Sequence, residues 1–178
     1  MPEYILLVDE NDKVIGKEEK MKCHEGKGIL HRAFTAMVFN RKNELLLTKR
    51  SKDKKLWPNY WDGSISSHVW ENESYEGAVK RRLPDELGIK SENVRYLFKI
   101  RYQTPYKNIG SENEICAAVI VKGIDRVLHD RKEISDFKFM NLKEIEEDIK
   151  KNPEIYAPWF LLIFKEFIRL KKYQNIFK

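Results

Sequence analysis

Apolar and polar positions along the chain fall into short blocks, most of which have the character of strands. Residues 4–9 form an apolar run, closed by the polar turn Glu10-Asn11-Asp12-Lys13 and a short Val14-Ile15 continuation. Gly26 and Gly28 interrupt any helix, which predicts a loop over residues 20–30. Residues 33–40 and 44–50 are apolar, β-branched or aromatic runs separated by Asn40-Arg41-Lys42-Asn43, a hairpin signal. Further strands are expected at 94–102 and 114–122, with a short one at 137–140.

Three segments change to helical period. Ala78, Val79, Leu83 and Leu87 recur at helical spacing over 75–87, ended by Gly88, the residue favoured just past a helix. Pro84 falls inside this segment, and an interior proline costs about 3 kcal/mol, so the spacing predicts a kink or break there. Leu142, Ile145 and Ile149 outline a small amphipathic helix capped by Asn141. Pro158 opens a last helix carrying Leu161, Leu162, Phe164, Phe167, Ile168 and Leu170. Strands and helices without regular β-α-β alternation indicate an α+β fold or mixed sandwich. With no internal repeat and no linker, residues 1–178 read as a single domain.

Composition narrows the class. Hydrophobic residues make up 42% and charged residues 35%, which excludes a membrane bundle and a disordered chain. No apolar run approaches the ~20 residues of a membrane span. The N-terminal stretch lacks a basic segment and a cleavage site, so no secretory signal is expected. Two cysteines, Cys23 and Cys116, are too few for a disulfide framework and point to a reducing cytoplasm. The net charge of +6 suits a nucleic acid, an anionic surface or a small phosphorylated ligand, and composition does not choose among them.

Glu112 and Glu114 are two residues apart at the edge or start of a strand, so both carboxylates project from one face. They could chelate a cation, divide acid and base roles, or simply be solvated. His24 and His31 bracket the glycine-containing loop, and His68 ends the small-residue run Gly63-Ser64-Ile65-Ser66-Ser67. Imidazoles joined by carboxylates would suit Zn²⁺, Mn²⁺ or Fe²⁺. Residues 67–89 fit the frame G-x5-E-x7-R-E-U-x-E-E-x-G-U through Glu73, Arg81, Leu83, Glu86, Gly88 and Ile89, with Ser67, Arg82 and Asp85 departing from it. The stretch resembles the Nudix signature, in which a glutamate cluster holds Mg²⁺ on a diphosphate.

The departures resemble one branch of that superfamily, the type I isopentenyl-diphosphate isomerases. The stretch Arg81-Arg82-Leu83-Pro84-Asp85-Glu86-Leu87-Gly88 is similar to theirs, as are Leu30-His31-Arg32-Ala33-Phe34, Trp57-Pro58, Trp61 and Ala157-Pro158-Trp159. The resemblance implies a Nudix-type mixed β-sheet sandwich flanked by helices. It implies a metal site of His24, His31, His68, Glu112 and Glu114 for Mn²⁺ or Zn²⁺, and Mg²⁺ carried on the diphosphate with help from Glu86. Arg50, Lys54 and Arg82 would hold the phosphates, Glu114 with Tyr102 would serve one face of the substrate, and Trp159 would face the carbocation. His129 is left unassigned and exposed.

One position departs. Ser66 stands where the family places its catalytic cysteine, and neither Cys23 nor Cys116 can be assigned to it by register; both are expected to be packing residues. An unassisted hydroxyl is a far weaker acid than a thiol near ~8.5. The expected activity is therefore a slow interconversion of isopentenyl and dimethylallyl diphosphate, with a Nudix hydrolase of nucleotide-like or prenyl diphosphates as the alternative and a non-catalytic binder as the third class. The expected partner is a small diphosphate, with no nucleic acid and no membrane, and the protein a cytoplasmic monomer or weak dimer.

Overall fold

A computed structural model describes residues 3–170. Its centre is a pair of parallel strands, β3 (His31–Phe39) and β8 (Gly110–Lys122), in register from His31 opposite Glu114 to Phe39 opposite Lys122. Both have apolar residues on both faces. Ala33, Met37 and Phe39 of β3 and Cys116, Ala118 and Ile120 of β8 face one core, while Phe34, Ala36, Val38, Ala117, Val119 and Val121 face another. A strand buried on both faces reads as a continuous apolar run, as these do.

Strand β6 (Ile65–His68) pairs antiparallel with the other side of β3, and β7 (Val94–Tyr106) with the other side of β8. A second group is built on β4 (Leu45–Arg50), flanked by β5 (Trp61–Asp62) and β9 (Ile134–Met140). The hairpin of β1 (Tyr4–Val8) and β2 (Val14–Glu19) joins β3 through Leu7 opposite His31. The first core is closed by α3 (Leu142–Lys151) and α4 (Pro158–Arg169), and the second by α2 (Tyr75–Leu87). The expected α+β mixed sheet with flanking helices is what forms.

Several local expectations need correction. Residues 20–30 are not all loop, because α1 (Lys20–Cys23) makes one turn before Gly26 and Gly28 take positive φ. The 33–50 hairpin is nominal: β3 and β4 pair only at Phe39 and Leu45, since β6 and β8 already fill both edges of β3. Helix α2 runs unbroken through Pro84, held at its ends by the Ser74 side chain, which accepts from Gly77 N–H, and by left-handed Gly88, and by the buried Ala78, Val79, Leu83 and Leu87. These contacts offset the proline. The small-residue run before His68, unassigned by period, is strand β6.

Asp12 ties this architecture together. From the β1–β2 turn its carboxylate accepts from Arg32 Nε at 2.8 Å, Lys99 Nζ at 2.8 Å and the Tyr75 hydroxyl at 3.0 Å, joining β3, β7 and α2. Burial alone would raise its pKa, but these three donors hold it below the ordinary Asp value. A depressed carboxylate adds stability above its unfolded pKa and loses it as pH falls through the folded one. Asp12→Ala is expected to cost about 1.5–3 kcal/mol at neutral pH. Urea midpoints should show the gap to wild type closing below the usual carboxylate range.

Candidate active site

The parallel register sets His31 and Glu114 side by side at one end of the β3–β8 pair, and period 2 puts Glu112 on the same face. Glu114 is not at a sheet edge, since β8 is paired there on both sides, with His31 and Tyr102 opposite it, whereas Glu112 lies near the strand start and pairs only with Thr104 of β7. On β6, Ser66 and His68 share one face, opposite Thr35 and Ala33. His24 follows α1, and its backbone carbonyl accepts from Ser111 N–H at 2.9 Å, which fastens this loop to the start of β8.

The five expected metal ligands meet. One donor atom from each of His24, His31, His68, Glu112 and Glu114 lies within 4.8 Å of all the others, and the three imidazole centroids are 4.8–5.3 Å apart. His24 Nδ1 lies 2.6 Å from the Lys20 carbonyl and His31 Nδ1 lies 2.7 Å from that of Ile29. Carbonyls only accept, so both Nδ1 atoms carry the proton and both Nε2 lone pairs point inward. There they face carboxylate oxygens, His24 to Glu112 at 2.9 Å and His31 to Glu114 at 3.2 Å. Lone pair against carboxylate is repulsive, so a proton or a cation must lie between. His68 Nδ1 is buried without a hydrogen-bond partner. This donor set fits a divalent cation, with backbone carbonyls fixing two rings as metal-bound histidines require.

Electrostatics follow the burial. His68 is pushed well below the usual histidine pKa by burial and by the neighbouring Lys20, His31 and His24. Burial opposes ionisation of Glu114, but His31 and Tyr102 hold its pKa below the ordinary value. Tyr102, whose hydroxyl donates to Glu114 Oε2, is raised by burial and by that carboxylate.

Beside the cluster is a cavity of about 250 Å³. Lys20, Arg50, Lys54 and Lys55 line it together with Ser66, His68, Tyr102, Glu112, Glu114 and Trp159. Lys20 is paired with Glu3 at 2.9 Å and Lys54 with Glu133. Half-exposed pairs of this kind are worth at most about 1 kcal/mol, so an entering anion can displace them. Arg50 is more tightly held: it donates to the Leu56 and Trp57 carbonyls at 2.9 and 3.0 Å, and its guanidinium lies 5.1 Å from the Trp159 ring centroid.

Arg82 and Glu86 stand apart from the five ligands, as an ion pair at 2.6 Å behind Lys54 and Glu133. Burial raises the Glu86 pKa despite that pair. His129 is half-buried against Phe137, at 5.2 Å between centroids, rather than exposed. Cys23 and Cys116 are both buried and unpaired, with the Cys23 thiol pushed up to about 11 by burial. Two residues of the site were missed. Lys20 was hidden in the presumed loop, and Asp62 is the only charged side chain between Lys55 and His68, a signal available in the sequence.

The NUDIX domain family model matches residues 29–160. Isopentenyl-diphosphate Delta-isomerase 1 of Photorhabdus laumondii is 39% identical over 159 residues, spanning 89% of this chain and 90% of the relative. The chain belongs to the isopentenyl-diphosphate isomerase family. The bovine Isopentenyl-diphosphate Delta-isomerase 1 is 36% identical over 94% of this chain and 83% of its own length. Among solved structures, DR0079 of Deinococcus radiodurans superposes with a TM-score of 0.74 at 20% identity, covering 92% of this chain and 98% of that one, which shows a shared fold. Within this isomerase family frame, Ser66 lies on the cavity wall, its hydroxyl among Asp62, Thr35 and Trp159.

Proposed function

We propose that this protein interconverts isopentenyl and dimethylallyl diphosphate. The observation that carries the reading is the three-histidine, two-glutamate cluster beside a small cavity lined by Lys20, Lys54 and Arg50, with Trp159 against the Arg50 guanidinium. The volume is at the low end for small-molecule sites, which favours a five-carbon diphosphate over a nucleotide.

In this reading Lys20, Arg50 and Lys54 bind the diphosphate, with Arg82 behind them, and Glu86 would help to hold a Mg²⁺ that neutralises the phosphate charge. Glu114 and Tyr102 exchange a proton with one face of the carbon skeleton, and the Ser66 hydroxyl meets the other. Trp159 stabilises the tertiary cation through its π-face. A divalent ion at the His₃Glu₂ site, Mn²⁺ or Zn²⁺, supplies positive charge that fixes Glu114 and tunes its proton affinity. We take residues 1–178 to work as one cytoplasmic unit, a monomer or weak dimer.

A Nudix hydrolase is the second reading, favoured by the absence of a thiol at position 66. Arg82 weighs against it, since a cation standing where the hydrolase frame has a metal-binding glutamate removes charge that would concentrate Mg²⁺ for water activation. Metal-loaded wild type should convert isopentenyl to dimethylallyl diphosphate without releasing phosphate. Ser66→Cys should be faster by about tenfold, less than the roughly 10²–10⁴ of a full acid–base group because the serine hydroxyl already serves in part. No conversion by either protein, with metal bound, would sink the isomerase reading; phosphate release from a panel of diphosphates would establish the hydrolase.

A further inference from the structure

The Ser66 hydroxyl is not unassisted. It donates to Asp62 Oδ1 at 3.1 Å, and the same oxygen accepts from Trp159 Nε1 at 2.9 Å and Gly63 N–H at 2.7 Å. Asp62 is 2% exposed, and its other oxygen lies 3.4 Å from Arg50 Nη1. The groups facing it are thus Arg50 from β4, Ser66 from β6 and the Trp159 indole from α4, with the Cys116 thiol of β8 close enough to feel its charge.

Resting on the isomerase reading, we propose that Asp62 is the proton acceptor behind Ser66, so that a Ser66–Asp62 pair replaces a thiol at this wall of the site. Proton addition at C4 from the Glu114–Tyr102 side leaves a cation at C3. The C2–H bond then breaks, its electron pair forms the C2=C3 bond, its proton passes to Ser66 Oγ, and the Ser66 proton moves to Asp62 Oδ1. Asp62 later returns that proton to solvent, so one proton enters and one leaves per turnover.

The chemistry is within reach of a hydroxyl because a C–H bond beside a tertiary carbocation is strongly acidic, and no alkoxide has to form. The demanding half, protonating an alkene, falls to the opposite wall. Burial also raises the Asp62 pKa, against Arg50 and its hydrogen-bond donors, making it a better acceptor than a solvated Asp. Acting through Ser66, Asp62 is a positioning residue.

A double-mutant cycle on the metal-loaded full chain tests the pair, with isopentenyl diphosphate as substrate. Asp62→Asn keeps an acceptor for Gly63 and Trp159 while removing basicity. It should lower kcat about 10²-fold in wild type with KM within a few-fold, the size of one acid–base contribution. In the Ser66→Cys background, where a thiol titrates by itself near ~8.5, the same change should cost less than about threefold. Equal losses in both backgrounds would overturn the proposal and leave Asp62 as a prop for Arg50 and Trp159. If neither parent converts the substrate, the isomerase reading fails and takes this role with it, an outcome distinct from equal losses.

Discussion

Glu114→Gln is expected to lower isopentenyl-to-dimethylallyl conversion by about 10³-fold or more while the protein stays folded. One carboxylate here serves two neighbourhoods. Its Oε1 lies 3.2 Å from His31 Nε2 and 3.6 Å from His68 Nε2, while Oε2 accepts the Tyr102 hydroxyl. Glutamine matches the shape but cannot take up a proton, which alone removes an acid–base factor of about 10²–10⁴. It also withdraws a negative charge from a site with two inward-pointing imidazole lone pairs, weakening divalent cation binding. Circular dichroism should remain close to wild type, because the substitution conserves volume, while the urea midpoint should fall modestly, since a carboxylate held below its ordinary pKa contributes stability. Retention of more than a tenth of wild-type kcat would remove Glu114 from the proton path.

His31→Ala is expected to abolish stable binding of Mn²⁺ or Zn²⁺ and, with it, turnover. His31 is fully buried, its Nδ1 fixed by the Ile29 carbonyl and its Nε2 turned into the cluster. Loss of even a second-shell partner typically costs 10–100-fold in metal affinity, and loss of a direct ligand costs more. Elemental analysis after dialysis should find the ion retained by wild type and absent from the variant. Added Mn²⁺ should raise the wild-type Tm through preferential binding to the folded state and leave the variant's unchanged. His129→Ala, which alters a half-buried histidine against Phe137, is the control and should behave as wild type.

The strands and the two long helices are legible because their signals are local: continuous apolar runs on β3 and β8, period 3.6 on α2 and α4. Pro84 was misjudged because a local cost was weighed without the four buried residues of α2 that offset it. The chemistry-bearing residues were legible through resemblance at their own positions, and the structure brings His24, His31, His68, Glu112 and Glu114 together. What no local pattern carries is partnership. The β3–β8 pairing is parallel and distant in sequence, so a hairpin at 33–50 is the local alternative to it, and nothing near Glu114 in the chain shows that it is paired on both sides. Asp62 went unread for the same reason: its meaning lies in Ser66 and Trp159, one four residues away and the other 97.

The parallel pairing of β3 and β8 also has a consequence for assembly. His31 and Glu114 are 83 residues apart, and His24 precedes both. Closing so long a loop is entropically unfavourable before any contact rewards it, and topologies rich in such contacts fold slowly. A cation bound by this cluster therefore cannot nucleate a local piece of structure. It can only reward chains in which this remote pairing is already made, so cation release and global unfolding should coincide as one cooperative event.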